Sequence, residues 1–289
     1  MKRIAILGCE NSHAAAFLKF IRESEAYRDV TTVGVYSDER EAAEKLHEKF
    51  GVPVLDGYAD AVGQIDGLVI TARNGANHLK YALPYIDSGI PMFIDKPITN
   101  LEEDALTLMR LLRDRGVRIS GGSSLKQDVY VKELKADARA EVDGKTLGGL
   151  VRAPYQSQNA YGGFYFYAQH LVETVSEIFG RFPRSVTARQ NGAQIHVLFH
   201  YEDYDCVGLY CDRNNFYYAS RMAEKGAKSF VIPPTEEWYR GELDEFYALL
   251  SGAPQTATYE EFIAPVFVMN AILRSLESGR EEPVAQIVL

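Results

Sequence analysis

The sequence predicts a two-domain α/β protein. Residues 1–121 read as a doubly wound parallel sheet, and residues 122–289 as an α+β domain with an open, mainly antiparallel sheet. Two observations predict this. Over the first 120 or so residues, short apolar runs alternate with helical patterns, as right-handed crossovers between parallel strands require. Beyond that point strand-like runs follow one another with no helix between them, which is the pattern of an antiparallel sheet.

The elements follow in order. "RIAIL" is a first strand, and "HAAAFLKFIRESEAY" a helix on which Phe17, Leu18 and Ile21 recur at helical spacing. "VTTVGVY" is a β-branched strand, followed by the charged helix "EREAAEKLHEKFG" closed by Gly51. "DGLVIT" is a third strand, "NHLKYALPYIDSG" a helix ending at Gly89, and "PMFID" a fourth strand. "NLEEDALTLMRLLRDRG" starts with Asn100 as its cap and stops at Gly116, and "VRISGG" closes the series. The second half opens on one long helix, "GGFYFYAQHLVETVSEIFG". The strands "SVTARQ", "AQIHVLFHYED", "CVGLYCD" and "NFYYASRMAEKGAKSFVI" come next, then the helices "EEWYRGELDEFYALLSG" and "YEEFIAPVFVMNAILRSLESG". The last helix is a candidate to pack back on the first domain.

Bulk properties narrow the function. A net charge of −9 and the lack of any Lys/Arg-rich tract argue against a nucleic-acid partner. No run of about 18 apolar residues argues for a membrane span, and the apolar stretch after "MK" is too short for a signal peptide. Cys9, Cys206 and Cys211 are odd in number and lack zinc spacing, so they read as reduced thiols of a cytoplasmic protein. His196 and His200 would share a strand face about 13 Å apart, too far for one metal ion; no metal is expected.

The turn after the first strand, "LGCENSH", has the strand–glycine–helix order of a dinucleotide-binding turn. Gly8 supplies the first glycine of G-x-G-x-x-G, while Glu10 and His13 stand at the other two glycine positions. A carboxylate about 4 Å from a phosphate costs roughly 4 kcal/mol at an effective dielectric near 20, so Glu10 must point elsewhere or the ligand must sit differently. His13 would either push the helix off the strand or aim its ring into the site. The helix N-terminus still offers backbone N–H groups and a positive dipole end, with Asn11 or Ser12 as caps. The cofactor-binding candidates in and beside this turn are therefore Gly8, Cys9, Glu10, Asn11, Ser12 and His13. At the end of the second strand stand Ser37 and Asp38, whose acid favours NAD over NADP because it repels a 2′-phosphate.

A second signal is "FIDKPIT", where Lys96 lies between an acid and a proline at the end of a parallel strand, the ligand edge of such sheets. Pro97 biases Lys96 away from helical geometry and makes the bond between them a candidate for cis. A third is "YGGFYFYAQHLVET", which as a helix aligns Tyr167, His170 and Glu173 or Thr174 on one stripe. Ser123, Ser124 and Lys126 follow the fifth strand at the same end of the sheet as Lys96. The tyrosines at 155, 161, 165 and 167 suit either a polyol pocket or simple core packing.

Taken in order, these segments closely resemble the glucose–fructose oxidoreductase / inositol dehydrogenase (Gfo/Idh/MocA) family, and the resemblance spans nearly the whole chain. The C-terminal "EEFIAPVFVMNAILRSLESGREEPV" adds to it. The resemblance implies an N-terminal Rossmann domain, an NAD or NADP cofactor, and a small sugar, cyclitol or polyol substrate. It also implies a homodimer or homotetramer formed through the C-terminal sheet. The family's E-K-P is Asp95-Lys96-Pro97 here, which implies that Lys96 touches both nicotinamide ribose and substrate and that Asp95 lines the cofactor site. Asn74 in "TARNGANH" matches the asparagine of the family's T-P-N turn over the cofactor, with Arg73 in place of the proline and one residue inserted before His78, which implies Ala72, Arg73, Asn74 and His78 as cofactor-binding candidates. The family helix carries an Asp four residues before a catalytic His; His170 matches the His, and Phe166 stands at the Asp position. The resemblance thus implies Lys96, His170 and Tyr167 as catalytic candidates, and Lys96, Ser124, Lys126, Tyr165 and His170 as substrate contacts. Three functions stay open on the sequence, the third, which the resemblance implies, being a lyase or hydrolase that uses bound NAD transiently. Lys96, His170 and the domain order favour an NAD(P)-dependent oxidoreductase acting on CH–OH groups. Glu10 and Phe166 favour a non-catalytic ligand-binding or regulatory relative.

Overall fold

The computed structural model describes residues 1–156, 158–212 and 215–289. The chain divides into two compact units, residues 1–122 with 239–259 and Leu289, and residues 123–238 with 260–288.

In the first unit five strands form a parallel sheet in the order β2-β1-β3-β4-β5: β1 (Lys2–Leu7), β2 (Val30–Tyr36), β3 (Gly67–Ile70), β4 (Met92–Asp95) and β5 (Ile119–Gly122). Val54 adds a parallel bridge to Val35 outside β2, a vestige of one more strand. The strand order reverses at β1, so the C-terminal ends of β1, β2 and β3 surround the crevice where sheets of this kind bind ligands. Every residue of β3, β4 and β5 is buried, which is why these strands read as continuous apolar or small-residue runs instead of alternating ones.

The crossover helices are α1 (Ser12–Glu23), α2 (Arg40–Phe50), α3 (Ala76–Ala82) and α4 (Glu102–Asp114). Helix α2 ends as its sequence requires, with Gly51 left-handed and its N–H on the carbonyl of His47 at 2.7 Å. The expected helix from Asn77 to Gly89 is shorter. At Leu83, just before Pro84, α3 gives way to a 3-10 turn over Leu83–Ser88. Asn100 does not cap α4, whose first turn instead carries Glu102, Glu103 and Asp104 at the positive dipole end. The Asn100 amide donates to Asn74 Oδ1 at 2.9 Å.

In the second unit α5 (Val129–Arg139) is capped by Asp128, whose Oδ1 accepts the Tyr130 N–H at 2.8 Å. A seven-stranded sheet follows, built from β6 (Thr146–Pro154), β7 (Ser185–Asn191), β8 (Gln194–His200), β9 (Asp205–Cys211), β10 (Tyr217–Ala223), β11 (Gly226–Ile232) and β12 (Glu281–Pro283), in the order β11-β10-β6-β9-β8-β7-β12. All neighbours are antiparallel except β6 and β9. Helix α6 (Tyr165–Phe179) packs on this sheet, where the Tyr210 hydroxyl donates to the Ala168 carbonyl at 2.8 Å.

The sequence reading lacks α5 and β6, and it runs β10 and β11 together. Strand β6 is hidden by its glycine pair. A Cβ on Gly149 would lie 2.1 Å from the Ser220 carbonyl oxygen and 2.5 Å from the Phe179 ring, so the glycine serves close packing of α6 and β10.

Two helices close the chain, α7 (Glu237–Leu250) and α8 (Tyr259–Ser278). The expected assignment of everything after residue 121 to one domain does not describe α7, because residues 239–259 cluster with the first unit. Leu243 and Phe246 join Ile4, Ile6, Phe17, Phe20 and Phe93 in one apolar cluster. It is this penultimate helix, and not the last one, that returns; α8 from Glu260 onward belongs to the second unit. Among the described residues no helix is long and apolar enough to cross a membrane.

Candidate functional site

The turn after β1 is fixed from both sides. Gly8 is left-handed at φ +74°, and the N–H groups of Gly8 and Cys9 donate to the Tyr36 carbonyl at 2.8 and 3.1 Å. The Thr71 hydroxyl donates to the Gly8 carbonyl at 3.0 Å. Cys9 is buried, and burial pushes its thiol up to about 12, so it packs as a small apolar group.

Glu10 reaches sideways across the strand ends. Its Oε2 accepts the Ser37 hydroxyl at the end of β2 at 2.7 Å, and its Oε1 accepts the Arg73 backbone N–H just beyond β3 at 3.0 Å. Asn11 sits at the N-cap of α1, but its side chain makes no cap bond. The amide instead donates to Asp95 Oδ2 at 2.6 Å, and Asn11 Oδ1 accepts the Ser12 hydroxyl at 3.1 Å. The first turn of α1 holds no acidic residue. The N-terminal N–H groups of α1 are therefore left uncapped by Asn11, and the carboxylate that threatened them is tied to other partners. These residues fit a dinucleotide diphosphate at that helix end.

His13 does not face a ligand from this turn. It is 3 % exposed, with Nδ1 3.3 Å from Asp95 Oδ2 and Nε2 3.1 Å from Glu242 Oε2, while its ring stacks edge-on to Tyr239 at 4.5 Å. Asp95 and Glu242 are wholly buried. The three ligand atoms lie within 4.8 Å of one another, a set that the sequence reading did not pair because Glu242 arrives on α7. A metal ion would draw both carboxylates to one ring nitrogen. Here each ring nitrogen faces a different carboxylate. Burial holds the imidazole down at about 4 and pushes Asp95 up to about 6, the latter against the pull of His13 and Lys96.

Lys96 follows directly, its backbone N–H donating to Asp95 Oδ1 at 2.7 Å, and the Lys96–Pro97 peptide is cis. Its side chain is 4 % exposed; burial pulls the ammonium pKa down against the opposing carboxylates of Asp95 and Glu242.

The remaining expected cofactor residues divide. Asp38 accepts the Tyr36 hydroxyl at 2.6 Å and lies 3.3 Å from Lys80 Nζ. Asn74 Oδ1 accepts the Ala76 N–H at 3.1 Å and opens α3. Ala72 is buried against Gly8. His78 is a core residue instead of a cofactor contact: it is wholly buried, with Nε2 2.9 Å from the Ala72 carbonyl and Nδ1 3.1 Å from that of Ile98. It ties the loop after β3 to the loop after β4.

The second unit holds a separate polar group on α6. His170 Nδ1 lies 2.6 Å from the Ser123 hydroxyl, and Ser123 Oγ also faces the Leu125 N–H at 3.3 Å. Glu173 Oε2 accepts the Ser123 N–H at 2.7 Å and the Gln169 amide at 2.9 Å; burial raises this carboxyl, and Lys126 opposes the shift. Ser123 thus joins His170 and Glu173 of the stripe expected from spacing. Ser124 is buried beside it. Tyr167 lies 5.8 Å from the His170 ring, and the Tyr165 hydroxyl donates to Asn270 at 2.9 Å. Phe166 packs between Tyr161 and Tyr167, at 5.8 and 4.7 Å. His200 bridges Asp205 and Thr187 at 2.9 Å each, a link across the sheet.

A parallel sheet reversing at β1, a left-handed glycine before α1 and a buried lysine at the end of β4 are the framework of a doubly wound α/β fold. Residues 2–123 match the family model Gfo/Idh/MocA, described as an oxidoreductase family with an NAD-binding Rossmann fold. A Salmonella typhimurium protein named as a candidate oxidoreductase, YceM, is 23% identical over 133 residues, 46% of this chain and 42% of that protein. The chain thus matches less than half the length of this curated relative.

Solved structures share the fold along nearly the whole chain. A myo-inositol dehydrogenase from Corynebacterium glutamicum superposes with a TM-score of 0.85 at 16% identity, covering 99% of this chain and 100% of that one. The scyllo-inositol dehydrogenase of Lactobacillus casei with bound NAD(H) and scyllo-inositol gives 0.83 at 15%, covering 99% and 100%. GenD2 of gentamicin A biosynthesis, in complex with NAD, gives 0.83 at 17%, covering 99% and 97%.

Proposed function

We propose that the protein is an NAD-dependent dehydrogenase that interconverts a hydroxyl and a carbonyl of a small sugar, cyclitol or polyol. The observation that carries this is Lys96, buried at the C-terminal end of β4 beside Asp95, with its ammonium pKa drawn down. The likeness to two inositol dehydrogenases supports the cyclitol class, and the acidic character at the end of β2 supports NAD over NADP.

The nicotinamide, when bound, supplies hydride acceptance and return. The turn over Gly8–Asn11 and the N-terminus of α1 would hold its diphosphate. Lys96 places a positive charge where an alkoxide develops, and a lowered pKa lets it exchange a proton nearer neutrality. His170 takes or gives the hydroxyl proton at Nε2. With Nδ1–H donated to the Ser123 hydroxyl, Nε2 is free to accept the alcohol proton, and the imidazolium so formed returns it from Nε2 in the reverse direction. Glu173 holds Ser123 in place through its backbone N–H.

The test is calorimetric titration with NAD⁺, NADH, NADP⁺ and NADPH, followed by a screen of cyclitols and sugars for NADH formation. Lys96→Ala and His170→Ala are expected to lower turnover about 10²–10⁴-fold with cofactor affinity nearly kept. Absence of binding at millimolar cofactor sinks the reading, and unaltered turnover in the variants removes the two residues from the reaction.

A further inference from the structure

We propose that Glu10 selects the dinucleotide: carried from the turn after β1 to the end of β2, its carboxylate accepts the hydroxyls of the adenosine ribose and repels a ribose 2′-phosphate. This rests on the dehydrogenase reading above. In sheets of this kind an acid at the end of the second strand receives the ribose diol. That position is Ser37, which has no carboxylate, and the next residue, Asp38, is engaged by Tyr36 and Lys80.

Glu10 replaces the missing group from outside the strand. Its Oε2 stands 2.7 Å from Ser37 Oγ, so a carboxylate does lie at this strand end, with Ser37 as its anchor. The Arg73 N–H holds Oε1 at 3.0 Å from the opposite side. The carboxylate is thereby fixed at two points, over the crevice formed by the ends of β1, β2 and β3. Both anchors are neutral donors, and together they use two of about four acceptor positions on a carboxylate. The other two suit a vicinal diol, whose hydroxyls donate. A 2′-phosphate brings like charge and no proton to donate. The replacement of the second glycine by an acid, which on sequence alone opposes a dinucleotide, then becomes the source of its selection.

Titration calorimetry with NADH and NADPH tests this on the full-length wild type, Glu10→Gln and Ser37→Ala, with circular dichroism as a folding control. Wild type is expected to prefer NADH. Glu10→Gln keeps the shape and loses the charge; it should weaken NADH about tenfold and strengthen NADPH about tenfold, moving the preference about a hundredfold. Ser37→Ala frees the carboxylate but keeps its charge, so NADH should weaken about threefold with the NADH preference retained. A preference unchanged in Glu10→Gln overturns the proposal. So does a tighter NADH complex in that variant, which would make Glu10 an internal occupant of the cofactor's place. If the glutamine variant fails to fold, full wild-type NADH affinity in Ser37→Ala overturns it instead. Wild type that binds neither nucleotide overturns the dehydrogenase reading together with this one, whereas binding with an unmoved preference overturns this one alone.

Discussion

Gly8→Ala is expected to destabilise the protein by about 4 kcal/mol or more and to abolish dinucleotide binding. Two separate costs add. Gly8 sits at φ +74°, which costs an L-residue about 1 kcal/mol. The new Cβ would also stand 2.4 Å from the backbone N and Cα of Ala72, and neither side can yield, because β1 and β3 are neighbouring strands of one sheet. Gly51→Ala separates the two costs. Gly51 has nearly the same φ, +73°, but nothing lies within 4 Å of its Cβ position. It should lose only about 1 kcal/mol. Urea denaturation of both variants measures the difference, and equal midpoints would show that the contact with Ala72 carries no weight.

The buried His13–Asp95 pair is expected to make stability insensitive to pH across a range where each residue alone would make it steep. His13 falls from its ordinary 6.5 to about 4, because burial disfavours the imidazolium. Its contribution is full above 6.5 and is lost as pH falls through about 4. Asp95 rises from its ordinary 3.8 to about 6, also by burial. Its contribution is full below 3.8 and is lost as pH rises through about 6. Between these limits unfolding takes up one proton at His13 and releases one at Asp95, so the two slopes oppose each other.

Removing either partner exposes the other's slope, up to about 1.4 kcal/mol per pH unit. Relative to wild type, His13→Gln should lose about 3 kcal/mol as pH rises from about 4 to about 6, and Asp95→Asn should lose a similar amount as pH falls over the same interval. Glu242 and Lys96, the other charged groups at this spot, stay in both variants. Urea denaturation at several pH values, taken as variant minus wild type, makes the check. Differences that do not change with pH would show that no proton is exchanged at this pair.

The first sheet was legible because parallel strands buried on both faces leave an unmistakable apolar run, as in "GLVI" and "MFID". Strand β6 was not, since its glycines answer to neighbours that local pattern does not name, Gly148 to β9 and Gly149 to α6 and β10. Motif context singles out Lys96 and His170, and both are buried, at the end of β4 and on α6. Glu242 was not: a lone glutamate on an amphipathic helix reads as solvated, and only the partner of that helix reveals it as buried. His13 is expected at the cofactor from its place at the third glycine of the turn and His78 from its segment's likeness to the family's T-P-N turn, but both side chains are buried in the core. Glu10 was visible as a conflict, while its direction depended on two donors 27 and 63 residues away.

The return of α7 has a consequence for the order of events during synthesis. The second unit's residues 123–238 interrupt the first unit between β5 and α7, so the chain must emerge from the ribosome well past residue 246 before Leu243 and Phe246 can cover Phe17 and Phe93. Until then the nascent sheet presents an apolar face and the unmatched pair His13–Asp95. The inserted segment is thus made while its host is still unfinished, and neither a gene fragment ending at residue 122 nor a graft of that fragment onto another partner carries a whole folding unit.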